Sequence, residues 1–343
     1  MRAPTLAGVP HSSLSEILMV VGVAAALPAC GSGGSSAPGD ASPAGDAPGP
    51  TTDTASTTDG GAGTSVLLVP ATGALLGHFY GDGTIAATDA RLGRKPNVQL
   101  NYFPWDDDWT TEPSVRDALA DGRIPLVNWE PSTATGAVDF DKIIAGDYDA
   151  AIHARAIGAK ALGHKFFLDF AAEMNGDEGW GGNNPQRYIA GYRHIHDIFV
   201  AEGASNVVWI WAPNVTDIPG GPPAQAYYPG DAYVDWTGVD GYNWGTSDPN
   251  FEWQELSQVF QDIYPTLAAF RKPIFIGEMA SDEVGGSKAA WIGNIVPTLQ
   301  TTFPMIRGFV WFDIAKERQW QINSSPAALA AYHAMASDPY LNP

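Results

Sequence analysis

Cysteine is almost missing from this chain of 343 residues, which holds a single one, Cys30. Everything after it is therefore barred from disulfides, thiolate metal sites and cysteine nucleophiles, and a core of ordinary size has to hold the fold. Basic residues are scarce too: 18 Lys and Arg stand against 38 Asp and Glu, a net charge of −20. Such a surface repels phosphate backbones and anionic headgroups, which argues against nucleic acid as a partner and leaves a neutral polysaccharide unaffected. His-Glu-x-x-His, phosphate-loop and nucleophile-elbow patterns are also lacking. His194 and His196 stand two apart on a predicted helix, so they face differently and make a poor metal pair. Asp106-Asp107-Asp108 reads as a solvated or sugar-binding loop before it reads as a calcium site. No metal or other cofactor is expected.

What is present divides the chain in three. Ile17 to Leu27 is apolar but too short to span a bilayer comfortably, and it runs into Leu27-Pro28-Ala29-Cys30. Residues 1–30 read as an export signal whose ending resembles the lipobox of bacterial lipoproteins, with Cys30 lipidated as the new N-terminus. A cleaved secretory signal is the alternative. Residues 31–64 are Gly, Ser, Thr, Pro, Ala and Asp, with no aromatic or large aliphatic side chain. That composition cannot offset its ordering entropy and predicts a disordered tether, roughly 30 Å in root-mean-square span. Residues 65–343 suit one α/β barrel domain, which typically takes about 250 residues. The expected product is an exported, surface-held or secreted monomer that meets a membrane only through Cys30.

Eight apolar runs recur through the domain: Ala74–Tyr80, Asn97–Phe103, Ile124–Trp129, Lys165–Ala171, Asn206–Ala212, Val234–Val239, Pro273–Ile276 and Arg307–Phe312. Short apolar runs bounded by Gly, Pro or Asn read as buried strands. Gly77 and His78 weaken the first. Between them lie helical patterns at Asp141–Leu162, Pro185–Ala201, Phe251–Phe270 and Ser287–Thr301, while Pro213–Tyr233 is too rich in Pro and Gly for a long helix. Strand–helix alternation repeated eight times predicts a (β/α)8 TIM barrel.

Glu173 and Glu278 each follow one of these runs, the fourth and the seventh, 105 positions apart. Active sites of such barrels are built at the carboxyl ends of the strands. Two carboxyls facing one bond are what glycoside hydrolysis requires: a proton donor, and a nucleophile or base. Either glutamate alone could equally be a structural ion-pair partner. Glu130 is a third carboxylate, better suited to a hydrogen-bonding wall. Trp105, Trp109, Trp180, Trp244 and Trp311 fall at or beyond strand ends, where flat apolar rings suit sugar faces.

Ala172-Glu173-Met174-Asn175-Gly176, Trp180, Val208-Trp209-Ile210-Trp211-Ala212-Pro213-Asn214, Val239-Asp240-Gly241-Tyr242-Asn243-Trp244 and Ile276-Gly277-Glu278 follow in that order, with Trp129-Glu130-Pro131 before and Phe309-Val310-Trp311-Phe312 after. The set resembles glycoside hydrolase family 26 from about residue 75 to 325. The resemblance implies a retaining (β/α)8 enzyme, acting mostly on β-mannans and in some members on mixed-linkage β-glucans or β-1,3-xylan. It further implies Glu173 as acid/base, Glu278 as nucleophile, Tyr242 as a donor to Glu278 and Trp311 as the floor under the cleaved sugar. Trp180 is implied as a platform, with Trp244 and Asn175 as further substrate contacts.

Two positions depart from the family pattern. Ala172 stands where a histidine is usual, and Asp169 where an arginine is usual. On a regular strand Asp169, Ala171 and Glu173 share a face, so an extra carboxylate below Glu173 would raise its pKa or demand a cation. These departures weaken the case for mannan and leave open a barrel that binds polysaccharide without cleaving it.

Overall fold

Eight parallel strands close into one barrel in the computed structural model, which describes residues 66–81, 84–176 and 180–342. They are β1 (Leu75–Phe79), β2 (Val98–Pro104), β3 (Ile124–Glu130), β4 (Phe166–Phe170), β5 (Val207–Trp211), β6 (Trp236–Asp240), β7 (Ile274–Met279) and β8 (Ile306–Phe312). Each pairs with its sequence neighbour, and β8 closes on β1. A two-residue hairpin, Ser132–Thr133 with Gly136–Ala137, follows β3. The (β/α)8 barrel expected from the strand–helix rhythm is the architecture found. Cys30 and the signal and tether segments lie outside the described residues.

Strand chemistry explains the closure. Along β4, Phe167 joins Leu75, Val98, Leu100 and Leu126 inside the barrel, while Phe166, Leu168 and Phe170 pack outward with the helices. Both faces are buried, as a parallel sheet requires. Burying each such ring contributes on the order of 1.5–3 kcal/mol. The weak pattern of β1 has a local cause. Gly77 faces the interior, where a Cβ would lie 2.7 Å from Val310 Cγ2. His78 faces outward and shares a buried polar contact with Asp313 Oδ2 at 3.0 Å.

The surrounding helices are α1 (Ile85–Leu92), α2 (Pro113–Ala120), α3 (Phe140–Ala145), α4 (Asp149–Ala161), α5 (Pro185–Ala201), α6 (Leu256–Phe260), α7 (Tyr264–Ala269), α8 (Lys288–Gly293), α9 (Ile295–Thr301) and α10 (Pro326–Ala336). The expected Pro185 helix keeps its bounds: the Asn184 side chain accepts the Arg187 N–H, and Pro185 occupies the first turn. The stretch read as one helix from Asp141 to Leu162 is two. Gly146 takes φ +86° and ends α3 with backbone bonds to Ile143 and Lys142, so α4 restarts at Asp149. Breaks also fall before Pro265, which sits in the first turn of α7, and at Asn294 between α8 and α9. Between Pro213 and Tyr233 only one short 3-10 turn forms, Ala224–Tyr227.

The end of the barrel where strands begin is plugged by the chain that precedes β1. Leu68 enters the interior cluster, and the Trp236 indole N–H donates to the Leu67 carbonyl at 2.7 Å. The opposite end, where strands finish, carries the polar side chains considered next.

Candidate active site

Glu278 occupies the centre of the carboxyl end. It lies within β7 rather than past it, and strict alternation from inward Phe275 and outward Ile276 would turn it outward. The register resolves this: Val239 pairs with Ile276, but Asp240 pairs with Glu278, so β7 bulges by one residue at Gly277. The bulge turns Glu278 inward. Its Oε1 accepts from the Tyr102 hydroxyl at 2.5 Å, and its Oε2 accepts from the Tyr242 hydroxyl. The side chain is nearly buried. Burial pushes its pKa up, while the two phenols and the Lys316 ammonium oppose that by favouring the ionised form. Burial and the neighbouring Glu278 both raise the pKa of Tyr102 and Tyr242 well above the usual phenol value, which keeps them as donors.

Glu173 comes from the loop after β4. Its backbone N–H bonds the Ala212 carbonyl at the end of β5 at 2.7 Å, and its own carbonyl accepts from Gly176. Ala171 and Glu173 both take φ +55°, left-handed values that cost non-glycine residues on the order of 1 kcal/mol each. The loop is thus over-determined by its surroundings. The Glu173 charge acts on both Asp240 and Tyr242, which places it beside the same floor as Glu278.

The floor is aromatic. Phe79 and Phe312 stack at 5.0 Å, Tyr102 meets both edge-on, and Tyr242 meets Phe312 edge-on at 5.8 Å. Trp320 backs Tyr242 at 5.0 Å, with its indole N–H on Glu317 Oε2. Glu317 in turn pairs with Lys316 at 3.0 Å. Lys288 holds this β8 loop from below through the carbonyls of Gln319 and Gln321 and the Ser324 hydroxyl, and burial lowers its pKa to about 8.

The other expected contacts divide. Tyr242 is half-buried on Glu278, as described. Trp244 is half-buried, stacked on Phe251 at 5.0 Å under the Arg318 guanidinium, and close to Tyr242 and Trp320. Trp180 is almost wholly buried and donates to the Ala172 carbonyl at 2.8 Å, bracing the Glu173 loop. Asn175 is buried and saturated: it accepts the Asn214 N–H and donates to the Asn214 carbonyl and Asp217 Oδ1. It latches two loops. Trp311 is displaced from the expected role of sugar floor. It has no exposed surface, faces outward against Trp291 and Tyr332, and donates to the Trp320 carbonyl, because Val310 and Phe312 take the inward positions of β8. Trp105 and Trp109 are likewise buried, against Trp129. Half-buried Glu130 accepts from the Ser132 hydroxyl at 3.3 Å.

Sequence reading missed Tyr102, Phe79 and Phe312. Phe79 and Phe312 end their strands and Tyr102 stands two before the end of β2, all on the inward face, so two-residue alternation counted from a known interior position would have found them. It also misplaced the influence of Asp169. The strand ends at Phe170 and the chain turns left-handed at Ala171, so the shared face with Glu173 is lost. The charge acting on Asp169 is that of Glu278. Asp108 is held by the Thr110 hydroxyl at 2.6 Å and Arg155 at 3.2 Å, as a loop lock. Among the described residues, no three or more His, Cys, Asp or Glu are grouped to hold a metal ion.

Residues 166–280, the segment bearing both glutamates, match the sequence profile of glycosyl hydrolase family 26. The chain belongs to that family. Endoglucanase H of Acetivibrio thermocellus is 39% identical over 269 residues, which are 76% of this chain and 29% of that longer protein. The chain therefore spans less than a third of that relative. Among solved structures, a mannanase from Bacillus subtilis superposes with a TM-score of 0.57 at 19% identity, covering 78% of this chain and 85% of its own. The family 26 domain of an endo-β-mannanase/endo-β-glucanase from Prevotella bryantii gives 0.58 at 13% identity, covering 80% and 92%. These two similarities establish the barrel and its topology.

In this family 26 barrel, the two departures from the expected pattern sit on either side of one turn. Ala172 packs into the interior with Phe167, Val208, Ile210 and Ala212, so nothing polar precedes Glu173. Asp169 lies one layer below, buried on β4.

Proposed function

We propose that this barrel is a retaining endo-β-glycanase that cleaves β-linked polysaccharide by double displacement. The observation that carries it is the setting of Glu278: a nearly buried carboxylate with a phenol on each oxygen, on an aromatic floor that also feels Glu173. Such a carboxylate is fixed in direction, and its two phenols favour the ionised form against the upward push of burial, as a nucleophile requires. Glu278 attacks the anomeric carbon while the Glu173 carboxylic acid gives its proton to the departing glycosidic oxygen. Glu173, now a carboxylate, takes a proton from water. That water attacks the same carbon and releases Glu278.

For the polymer, β-glucan is favoured over the β-mannan that the resemblance placed first. Glucose and mannose differ only in the direction of the C2 hydroxyl, and discrimination between them depends on a polar group aimed at it. Ala172 offers none, and the 39% relative is an endoglucanase. Reducing-sugar release from lichenan, glucomannan, mannan and β-1,3-xylan decides the substrate, with fastest release expected from lichenan. NMR of the first product tests the mechanism: the β-anomer is expected, and an initial α-anomer would exclude double displacement. Ala172 and Asp169 also favour a second reading, a polysaccharide-binding barrel without turnover, which measurable hydrolysis of any of the four polymers removes. The Leu27–Cys30 motif supports placing this activity at a cell surface on a lipid anchor.

A further inference from the structure

Asp169 is a buried carboxyl that the proposed reaction does not use. It is 1% exposed, and its Oδ1 has no hydrogen-bond partner. Asn128 stands opposite it on β3, also buried, with its own Oδ1 unpartnered. Asp240, buried on β6, has neither carboxyl oxygen in a hydrogen bond of normal geometry. Gly277 lets these groups converge: a Cβ there would lie 2.5 Å from Asp240 Oδ1 and 3.8 Å from Asp169 Oδ2. Three carboxyls from β4, β6 and β7 thus share one buried floor, and the side-chain hydroxyl donors found there go to Glu278.

An ionised carboxylate buried without a cation is strongly disfavoured, and two beside a third more so. The groups facing Asp169 supply no compensating charge. Glu278 on β7 and Asp240 on β6 are like-charged, Asn128 on β3 and Ile210 on β5 are uncharged, and Tyr188 and Tyr192 of α5 lie behind β4. No basic group among the described residues acts on it. We propose that Asp169 is a positioning residue held as a neutral carboxylic acid beneath Glu278, leaving that glutamate as the charged member of the floor. As an acid it also gains an O–H, a donor in a layer where Asn128 Oδ1 and both Asp240 oxygens lack a side-chain partner. Burial and Glu278 both push its pKa well above the usual carboxylate value, in agreement with this.

The inference rests on Glu278 as nucleophile only for its catalytic readout, so thermal unfolding is measured alongside. A carboxyl that keeps its proton in the folded state but loses it on unfolding weakens the fold progressively as pH rises through that interval. Asp169→Asn, neutral and similar in shape, escapes this loss. Its Tm relative to wild type is expected to rise by several degrees between pH 4 and pH 8, whatever the enzyme's substrate. The acid limb of the kcat/KM profile is expected to stay at the wild-type pH. A Tm difference that is constant with pH overturns the proposal. So does an acid limb that moves to lower pH, because removing a charged neighbour would ease ionisation of Glu278. If the Asn variant does not fold, carboxyl-13C NMR of aspartate-labelled wild type gives the answer. Two aspartate carboxyls, Asp169 and Asp240, should stay protonated at pH 7, and one or none overturns the assignment.

Discussion

Glu278 differs from Asp169 and Asp240 less in burial than in donors, and this difference decides which carboxyl carries the charge. The Tyr102 hydroxyl on Oε1 bonds the ionised form. Tyr102→Phe removes it, so the Glu278 pKa rises and the acid limb of kcat/KM moves to higher pH. Hydrogen bonds to charged groups contribute about 1.5–3 kcal/mol, which corresponds to a shift of roughly one to two pH units. An unmoved limb in the folded variant would show that this phenol does not tune the reaction. Removing the carboxylates themselves is harsher. Glu278→Ala should lower turnover by several orders of magnitude, because no covalent intermediate can form. Glu173→Ala should spare aryl glycosides with good leaving groups, which need little protonation, while losing polysaccharide turnover. Steady-state kinetics on both substrate types checks the pair, and near-normal polysaccharide turnover in Glu278→Ala would end the double-displacement reading.

The bulge in β7 is the element on which the site depends. It places Gly277 and Glu278 together on the inner side, and Gly277 leaves its missing side chain's volume to the Asp240 carboxyl. Gly277→Ala would put a methyl group within 2.5 Å of Asp240 Oδ1, so either that carboxyl or the bulge must move. Overpacking of a buried site costs about 1–3 kcal/mol. The variant is expected to lose stability by that amount and to lose kcat disproportionately, since Glu278 is the next residue. A denaturant melt together with kcat and KM separates the two effects. A folded Gly277→Ala enzyme with unchanged kcat would mean that the bulge has slack.

Across the whole molecule, the chain enters the barrel at the end opposite the site. Leu68 fills the interior there, Leu67 caps the Trp236 indole, and Arg307 donates to the Gly73 carbonyl at 2.7 Å. Residue 66, where the described chain begins, therefore lies at the end of the barrel away from Glu173 and Glu278. Trimming residues 1–65 is expected to leave Tm and activity in place. Trimming residues 1–70 removes the Leu68 plug and the indole's acceptor, about 1.5–3 and 1 kcal/mol respectively, and should lower Tm by several degrees. Equal Tm values for the two truncations would show that the plug contributes nothing.

Strand positions, barrel class, the helix from Pro185 and the two glutamates were legible in the sequence, because local patterning dictates them. An apolar run buried on both faces, Asn184 ahead of Pro185, and a carboxylate closing such a run each carry their meaning within a few residues. Helix breaks at Gly146 and Asn294 were less legible, since the apolar stripe continues through them while the backbone does not. What the tertiary structure alone decided is which side chains share the floor. Tyr102 and Glu278 are 176 positions apart and meet only when the barrel closes. Phe312 takes the floor position expected of Trp311, because a one-residue step on β8 turns a side chain from helix layer to interior. Asp169 lost its expected partner, Glu173, to a left-handed turn at Ala171 and acquired Glu278 from three strands away. Local patterning fixes which face a residue seeks; the register of the closed barrel fixes what it meets there.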